Sequence, residues 1–251
     1  MKRTRYDEIA EKYHEDRRHR DIGPADLVKE RLEEASTPVA VLDVGCGTGI
    51  WLAAQTRHFA GRSVRWVGVD PSGGMLAVAK RALPGVELIQ GRAERLPFPA
   101  ESFDVVVSIT AFHHFEDKPA AVSEMARVLK PGGTIRIANI EPWSMRRCWI
   151  YTRFPETWEG DQERFWPVER MVAEFARHGF TCAIDIAKST ATHRLSDHLA
   201  EAERRTTSQL DVLDDAAYER GLATLRADVS ANPERGLESE GAFLTLTARR
   251  P

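Results

Sequence analysis

The sequence predicts an α/β fold built around a doubly wound, mostly parallel β-sheet, and two observations favour it. Short runs rich in Val, Ile and Leu alternate with longer amphipathic segments up to about residue 140, which is the pattern of consecutive βα units. These runs are nearly continuous in apolar residues, as strands covered by helices on both faces should be. With 251 residues, of which 42% are hydrophobic, the chain is long enough for one such domain.

Five strands and three helices are predicted in the repeating region. The strands lie at about 39–44, 64–69, 86–90, 103–109 and 133–140, and the helices at about 49–60, 73–83 and 118–129. Asp117 is placed to cap the start of the last helix, and Lys130-Pro131-Gly132-Gly133 to end it. Two more helices, at 4–17 and 25–35, precede the first strand and are candidates for a lid.

The pattern changes after Glu141. Residues 143–166 hold four tryptophans and few strand signals. A helix near 167–178, a strand at about 181–187, a helical stretch at about 195–228 and a last strand at about 242–248 are predicted beyond this segment.

Composition excludes several classes of partner. The 35 Lys and Arg residues are balanced by 38 Asp and Glu, and the net charge of -3 gives no general attraction to nucleic acid or anionic lipid. The first twenty residues are charged throughout, unlike a secretory signal, and no apolar run approaches the roughly 20 residues that span a bilayer. Three scattered cysteines suit a reducing compartment. We therefore expect a cytoplasmic enzyme without a nucleic-acid or membrane partner.

A glycine-rich loop follows the first strand. Gly45, Gly47 and Gly49 alternate between a buried strand and a helix, where backbone angles that a Cβ disfavours and close approach of a ligand both require glycine. The N–H groups at the start of the next helix suit an anion such as an amino-acid carboxylate. A plain strand-to-helix turn is the alternative, but three alternate glycines favour a cofactor-binding loop.

An acidic residue ends the second strand. Asp70 stands twenty-one residues after Gly49, at the carboxyl edge of the neighbouring strand, where it can accept hydrogen bonds from ribose hydroxyls. A cap for the helix that begins near Ser72 is the alternative role. A nicotinamide dehydrogenase is disfavoured, because Ile50 replaces the third glycine of that fingerprint and Asp43 lies where an apolar residue is usual.

Five motifs occur in register over about residues 6–140. They are YDEIAEKY at 6–13, VLDVGCGTG at 41–49, GVDPS at 68–72, GRAERLPFPAESFDVV at 91–106 and RVLKPGG at 127–133. Together they resemble the class I S-adenosylmethionine-dependent methyltransferases, and within them the type 11 group similar to ubiquinone and menaquinone biosynthesis methyltransferases. The resemblance implies a Rossmann-like, seven-stranded sheet with an antiparallel last strand, S-adenosylmethionine as cofactor and S-adenosylhomocysteine as product.

The same resemblance implies an organisation for the chain, taken as one methyltransferase domain, 1–251. Residues 1–36 would form an N-terminal helical lid, 37–141 the cofactor-binding core, and 142–251 a substrate-side half with a helical insertion at about 195–228. We expect the chain to act as a monomer or a homodimer on a small-molecule acceptor.

Roles for individual residues near the methionine end of the cofactor also follow from the resemblance. Asp43 would organise the glycine loop and approach the amino group. Gly45, Cys46 and Gly47 would line the methionine part. Thr110 and Ala111 would close the pocket near the sulfonium, and Tyr6 and Tyr13 would cover the methionine end.

The adenosine end is assigned in the same way. Asp70 would bind the ribose, Pro71 follows it in the motif, and Ser72 and Met75 would lie beside the adenine. Ala93 would offer its backbone N–H to the ring.

The motif at 91–106 departs from the family at one position. The family has an acid just before the Ala93-Glu94 pair, where this chain has Arg92, which only donates hydrogen bonds. Glu94 or a backbone carbonyl must then accept from the adenine amino group.

Candidate catalytic residues stand where the fourth strand ends. His113 or His114 could act as a general base near neutral pH, and the resemblance favours His113 on the substrate side. The alternative is that both histidines shape the pocket. A metal site that includes Glu116 and Asp117 is disfavoured, because adjacent residues seldom converge on one ion.

The substrate is less constrained than the cofactor. Residues 143–166 and 195–228 are candidates for a lid over an apolar or aromatic acceptor whose O, N or C atom is methylated, with ordinary core packing as the alternative. An RNA or DNA methyltransferase is disfavoured, because the sequence has no excess of basic residues that would attract nucleic acid. A cofactor-binding regulator or scaffold without activity also stays open.

Overall fold

The computed structural model describes residues 5–19, 21–35 and 37–250. The helices are α1 Tyr6–Arg17, α2 Asp26–Glu34, α3 Ile50–His58, α4 Gly73–Ala82, α5 Lys118–Val128, α6 Trp149–Arg153, α7 Glu156–Arg164, α8 Val168–Arg177, α9 Leu195–Arg204, α10 Ser208–Asp211 and α11 Asp215–Ala231. The strands are β1 Val39–Val44, β2 Val64–Asp70, β3 Glu87–Gln90, β4 Phe103–Ile109, β5 Leu129–Ile140, β6 Thr181–Arg194 and β7 Gly236–Arg249. Short 3₁₀ helices span Phe112–His114 and Pro142–Ser144.

The strands form one sheet in the order β3-β2-β1-β4-β5-β7-β6. β1 pairs in parallel with β2 on one side and with β4 on the other, and β3 and β5 extend the parallel region outward. β7 runs antiparallel, which confirms the predicted fold class. The direction of winding reverses at β1 and β4, and α/β sheets bind ligands beyond the carboxyl ends of strands at such a switch point.

The centre of the sheet is buried because its strands are apolar on both faces. All six residues of β1 are buried, and Val28 of α2 and Phe59 after α3 pack on the same side as Val39 and Val105. Apolar burial of this kind contributes roughly 25 cal/mol per Å² of surface removed from water. The sheet is therefore a rigid base for the loops at its carboxyl edge.

A buried carboxylate fastens the opposite edge of the sheet. Asp104, near the start of β4, accepts hydrogen bonds from the Ala40 backbone at 2.9 Å and from Lys130 Nζ at 2.8 Å, and Arg31 lies 3.4 Å away. Burial opposes its ionised form, but these donors outweigh burial and hold the pKa of Asp104 below its ordinary value. Helix α2 and strands β1, β4 and β5 are thus tied to one side chain.

Several element boundaries differ from the sequence predictions. β5 begins at Leu129, not 133, because residues predicted to end a helix join the strand through a register shift opposite Phe103 and Val105. β6 and β7 have 14 residues each, longer than predicted. The helical stretch predicted at 195–228 is three helices, and the tryptophan-rich segment contains α6 and α7. The start of the first predicted helix, residue 4, lies outside the described residues.

The chain divides into two compact units. The large unit contains Tyr6–Asn139, Val168–Asp185 and residues 245–250, and the small unit contains Arg5, Ile140–Pro167 and Ile186–Leu244. The small unit has its own core, in which Trp149 and Phe154 are buried and Trp158 packs against them from a partly buried position. Trp149 therefore has the core-packing role that the sequence left open. Within the described ranges, we find no helix with the length and apolar character needed to cross a membrane.

Candidate active site

The glycine loop leaves β1 and turns sharply towards α3. The backbone N–H groups of Gly45 and Cys46 both donate to the Val69 carbonyl of β2, at 2.8 and 3.1 Å. Gly45, Gly47 and Gly49 have φ angles of 78°, 54° and 75°, in the left-handed region that favours glycine. The predicted strand-loop-helix arrangement is present, with the loop at the switch point of the sheet.

The three glycines are required for two different reasons. A Cβ on Gly45 would lie 2.4 Å from the Ala111 Cβ, and one on Gly49 would lie 2.6 Å from Leu83 Cδ1, so both positions are closed by packing. A Cβ on Gly47 would meet no atom within 4 Å. Gly47 therefore presents bare backbone to open space, which is the geometry of a cradle that a ligand can approach closely.

Asp70 fastens this loop to the start of α4. Its two carboxylate oxygens accept hydrogen bonds from the Gly47 N–H at 2.8 Å and the Ser72 N–H at 2.9 Å. Burial raises the pKa of Asp70, although these two hydrogen bonds oppose the shift. Each carboxylate oxygen has a second lone pair. Asp70 can therefore hold the loop and still accept from ribose hydroxyls.

Asp43 is the most unusual group in this region. Its side chain is only 2% exposed, and its Oδ1 atom has no hydrogen-bond partner. Burial, and then the nearby charge of Asp70, raise the pKa of Asp43 to about 8. Buried polar atoms are nearly always hydrogen-bonded, so a carboxyl oxygen left without a partner calls for an additional group. A cationic amino group on a ligand would supply it, and the residues present fit S-adenosylmethionine.

Helix α1 lies against α4 and reaches the histidines. The Tyr6 hydroxyl and His114 Nε2 are 2.6 Å apart, and their rings meet edge to face at a centroid distance of 5.2 Å. Tyr6 and Tyr13 also pack edge to face, and both border a small cluster that buries Met75. Met75, predicted beside the adenine, thus packs beneath α1.

Sequence reasoning missed Asp7, which joins α1 to α4. Asp7 Oδ1 accepts from Ser72 Oγ and from the Gly74 backbone, each at 2.8 Å, and these bonds lower its pKa. A Cβ on Gly74 would lie 2.7 Å from the Asp7 carbonyl oxygen, so only glycine permits this close packing. Asp7 lies within the 6–13 motif, but its partners are 65 residues or more away, so the pairing has no local signal.

The hydroxyl of Ser72 has structural duties. Besides donating to Asp7, it accepts from the Met75 N–H at 3.0 Å and so caps α4. This is the capping role that the sequence analysis considered for this region. Pro71 is exposed, and its carbonyl accepts from Gln90 Nε2 at 2.9 Å. A place for Ser72 and Pro71 beside the adenine stays a prediction.

The end of β4 brings the candidate catalytic residues next to the loop. Thr110 has a φ of 53°, which is uncommon for a residue with a Cβ, and its N–H donates to the Ala138 carbonyl at 2.7 Å. Ala111 packs against Gly45. His113 is buried and His114 partly exposed, with ring centroids 3.8 Å apart. Backbone strain of this kind is concentrated at functional sites.

Residues 92–94 support the loop after the histidines. Glu94 Oε1 accepts from the Glu116 N–H at 2.8 Å, and Arg92 Nη2 lies 2.7 Å from Glu116 Oε2. Arg92 Nε is also 3.5 Å from Glu94 Oε2. Ala93, which separates these two residues in the sequence, is buried. Glu94 therefore already has partners, and its role as the acceptor for the adenine amino group stays a prediction.

The structure favours neither a cysteine nucleophile nor a metal ion among the described residues of this site. The Cys46 thiol is buried, and burial raises its pKa, so it is a poor nucleophile. The part of the chain that the structure describes contains no group of three His, Cys, Asp or Glu side chains suited to hold a metal ion.

Comparison with known proteins decides the family. The family described as "Methyltransferase domain" matches residues 42–137, which run from β1 through most of β5. The chain carries a class I methyltransferase domain. This domain includes the glycine loop, Asp43, Asp70 and both histidines.

Named relatives share this part of the chain. The phthiotriol/phenolphthiotriol dimycocerosates methyltransferase of Mycobacterium leprae is 39% identical over 102 residues, 41% of this chain and 38% of the relative. The demethylmenaquinone methyltransferase of Chlorobaculum tepidum is 40% identical over 124 residues, 49% of each chain. The chain thus spans less than half of the length of each of these two relatives.

A solved structure extends the likeness over most of the fold. A crystal structure from Anabaena variabilis, assigned as a methyltransferase of an antibiotic biosynthesis pathway, matches with a TM-score of 0.66 and 25% identity. The match covers 87% of this chain and 95% of that one. The sheet order seen here is therefore that of the class I methyltransferase fold.

Proposed function

We propose that this chain transfers a methyl group from S-adenosylmethionine to an O, N or C atom of a small apolar or aromatic molecule. The observation that supports it most is the buried Oδ1 of Asp43, which has no partner and lies behind a glycine loop open at Gly47. A cation beside Asp43 would stabilise the ionised form of this carboxyl group, and the cofactor carries an ammonium group.

The proposed roles of the cofactor-binding residues follow from their positions. Asp43 pairs with the ammonium group, and the backbone of Gly45 to Gly47 lines the methionine part. Asp70 accepts from the ribose while it keeps the loop attached to α4. Ala111 limits the pocket on the side of β4, because its Cβ packs against Gly45.

When bound, the cofactor supplies an electrophilic methyl group on a sulfonium. Catalysis then depends on holding the acceptor in line and near attack distance, an effect worth up to roughly 7–11 kcal/mol. Where the acceptor atom carries a proton, we propose that the His113–His114 pair removes it, with the Tyr6 hydroxyl fixing the orientation of the His114 ring at 2.6 Å.

An apolar or aromatic acceptor is supported by the relatives named above, which act, by their names, on demethylmenaquinone and on phthiotriol and phenolphthiotriol dimycocerosates. The cytoplasmic location of the chain, and its state as a monomer or a homodimer, stay predictions.

The test has a binding step and a transfer step. Calorimetry with S-adenosylhomocysteine should give saturable heat, and Asp43→Asn should weaken binding at about pH 7.5, where the carboxyl group can ionise towards the ligand. Exposed Asp21→Asn is the matched control. Methyl-labelled cofactor mixed with an apolar metabolite extract should then label a small molecule that organic solvent extracts.

The alternatives predict different results. Label that appears in nucleic acid instead of small molecules would favour an RNA or DNA methyltransferase. Tight binding of the cofactor without any transfer would favour a regulator or scaffold. No heat with S-adenosylhomocysteine would contradict the cofactor assignment itself.

A further inference from the structure

Arg164, the last residue of α7 in the small unit, is a buried cation with unused donors. Its side chain is 6% exposed, and its Nη2 atom donates to Asp161 Oδ1. Its Nε and Nη1 atoms are buried and have no hydrogen-bond partner. Buried guanidinium N–H groups without acceptors are rare, because each loses its hydrogen bonds to water without replacement.

The carboxylate beside Arg164 does not accept from these donors. Asp161 is fully buried, and its Oδ2 atom accepts from the Tyr151 hydroxyl at 2.6 Å. Each of its oxygens thus accepts one hydrogen bond, Oδ2 from Tyr151 and Oδ1 from Arg164 Nη2, and neither accepts from Arg164 Nε or Nη1. Burial, and then the charge of Asp161, raise the pKa of Tyr151 above its ordinary value, so the phenol stays protonated and keeps its donor role.

The charge balance indicates the kind of acceptor that fits. The positive charge of Arg164 and the negative charge of Asp161 cancel, and Tyr151 is neutral. Elsewhere in the small unit, Arg153 pairs with its own carboxylate, Asp228, at 2.9 Å, and Arg146, whose Cζ lies 5.0 Å from the Trp158 ring centroid, is exposed to water, which screens its charge. An anion bound at Arg164 would thus bring an unbalanced charge into a buried place, whereas a neutral oxygen would not.

The surroundings of Arg164 are aromatic. The Tyr151 and Trp158 rings meet edge to face at 5.1 Å, and the Phe165 ring centroid lies 5.8 Å from Arg164 Cζ. Aromatic surfaces with a few placed polar groups are typical of small-molecule sites. A ligand reaches the guanidinium only if the side chains that cover it move.

We propose that Arg164 binds a neutral oxygen atom, such as a ketone carbonyl, on an aromatic ligand. Arg164 is then a ligand-binding residue held in place by Asp161 and Tyr151.

Three probes that share one ring system test the proposal. They are 2-acetylnaphthalene, 2-ethylnaphthalene and 2-naphthoate, which carry a neutral carbonyl, no oxygen and an anion. Equilibrium dialysis measures their binding to the full-length protein, with and without S-adenosylhomocysteine. We expect the wild type to bind the ketone roughly tenfold or more tightly than the hydrocarbon, and the anion no better than the ketone.

Arg164→Lys keeps the charge but lacks the Nε and Nη1 donors, so the preference for the ketone should disappear. Arg177→Lys is the matched control, because Arg177 pairs with Glu174 at the same spacing but is 74% exposed. If Arg164→Lys does not fold, the Tyr151→Phe variant takes its place in the test. That change frees Asp161 Oδ2 to accept from Arg164, so the preference should fall in it as well.

The proposal would be overturned if Arg164→Lys, or Tyr151→Phe in its place, kept the preference for the ketone. Tighter binding of 2-naphthoate than of the ketone by the wild type would also overturn it. Heat with S-adenosylhomocysteine is measured separately on each variant. A failure of the proposed function removes that heat from the wild type, whereas a failure of the Arg164 proposal leaves it intact.

Discussion

Replacement of Asp43 by asparagine should abolish a pH dependence of stability that the wild type owes to this one carboxyl group. The pKa of Asp43 is raised from its ordinary value of 3.8 to about 8, by burial and by Asp70. The folded protein therefore keeps a proton that the unfolded chain has already released. Stability from this group is fully present below about pH 4 and is lost as the pH rises through about 8.

The size of the effect follows from the width of that window. Each pH unit between about 4 and 8 lowers the free energy of unfolding by about 1.4 kcal/mol, so the whole window corresponds to about 6 kcal/mol. An asparagine side chain at this position has no proton to retain. Between about pH 5 and pH 8, the Asp43→Asn variant should therefore gain about 4 kcal/mol relative to the wild type.

Urea unfolding of cofactor-free protein, followed by tryptophan fluorescence from about pH 5 to pH 8, measures this difference directly. Taking the difference between wild type and variant removes the contributions of other titrating groups. If the free energies of unfolding of wild type and variant stay parallel across this pH range, Asp43 is ionised in the folded protein without a partner and the reasoning is wrong. Asp21→Asn, at an exposed position, should follow the wild type throughout.

The same shift predicts proton release on ligand binding. If Asp43 pairs with the ligand ammonium, it must ionise on binding, so calorimetry at about pH 7 should register about 0.9 protons released per S-adenosylhomocysteine, for a pKa of about 8. The affinity should rise as the pH increases from about 6 to about 7.5. Asp43→Asn should lose both effects, and a heat of binding independent of the buffer's ionisation enthalpy in the wild type would contradict the pairing.

Three glycine substitutions test the site geometry. Gly45→Ala places a methyl carbon 2.4 Å from the Cβ of a neighbouring alanine, so urea unfolding should show a loss of about 2–4 kcal/mol. Gly47→Ala meets no atom within 4 Å and should cost only about 1–2 kcal/mol, yet weaken S-adenosylhomocysteine binding at least tenfold by calorimetry. Gly61→Ala, with φ 75° and equally open, is its control, and equal affinities in the two variants would refute the cradle. Gly74→Ala places its methyl 2.7 Å from the Asp7 carbonyl oxygen, so limited proteolysis should cut α1 faster than in the wild type. Unchanged cleavage would contradict the close packing of α1 on α4.

The central part of the fold was predictable because its signals are local. β1 and β4 coincide with the predicted runs at 39–44 and 103–109, since buried parallel strands must be apolar at almost every position. The glycine loop and Asp70 are also local signals, because a turn fixes the residue types that it tolerates. Asp117 caps α5 as predicted, accepting from the Ala120 N–H at 3.0 Å.

Features that depend on distant partners were not predictable. Residues 188–194 of β6 are exposed and, apart from Ala191, polar, so they have no apolar alternation, and backbone pairing at the end of the sheet makes them a strand. Asp7 and Gly74 meet only because α1 folds onto α4. The unused donors of Arg164 appear only when Asp161 and Tyr151 are seen together.

The pairing of Asp7 with Ser72 and Gly74 has a consequence for biosynthesis. α1 leaves the ribosome before α4, and the residues that hold it are made 65 and 67 positions after Asp7. Until α4 has emerged, Tyr6, Ala10 and Tyr13 of α1 cannot pack against Met75 and Val78. α1 can therefore dock only after α2, β1, α3 and β2, which lie between it and α4 in the sequence, have been synthesised.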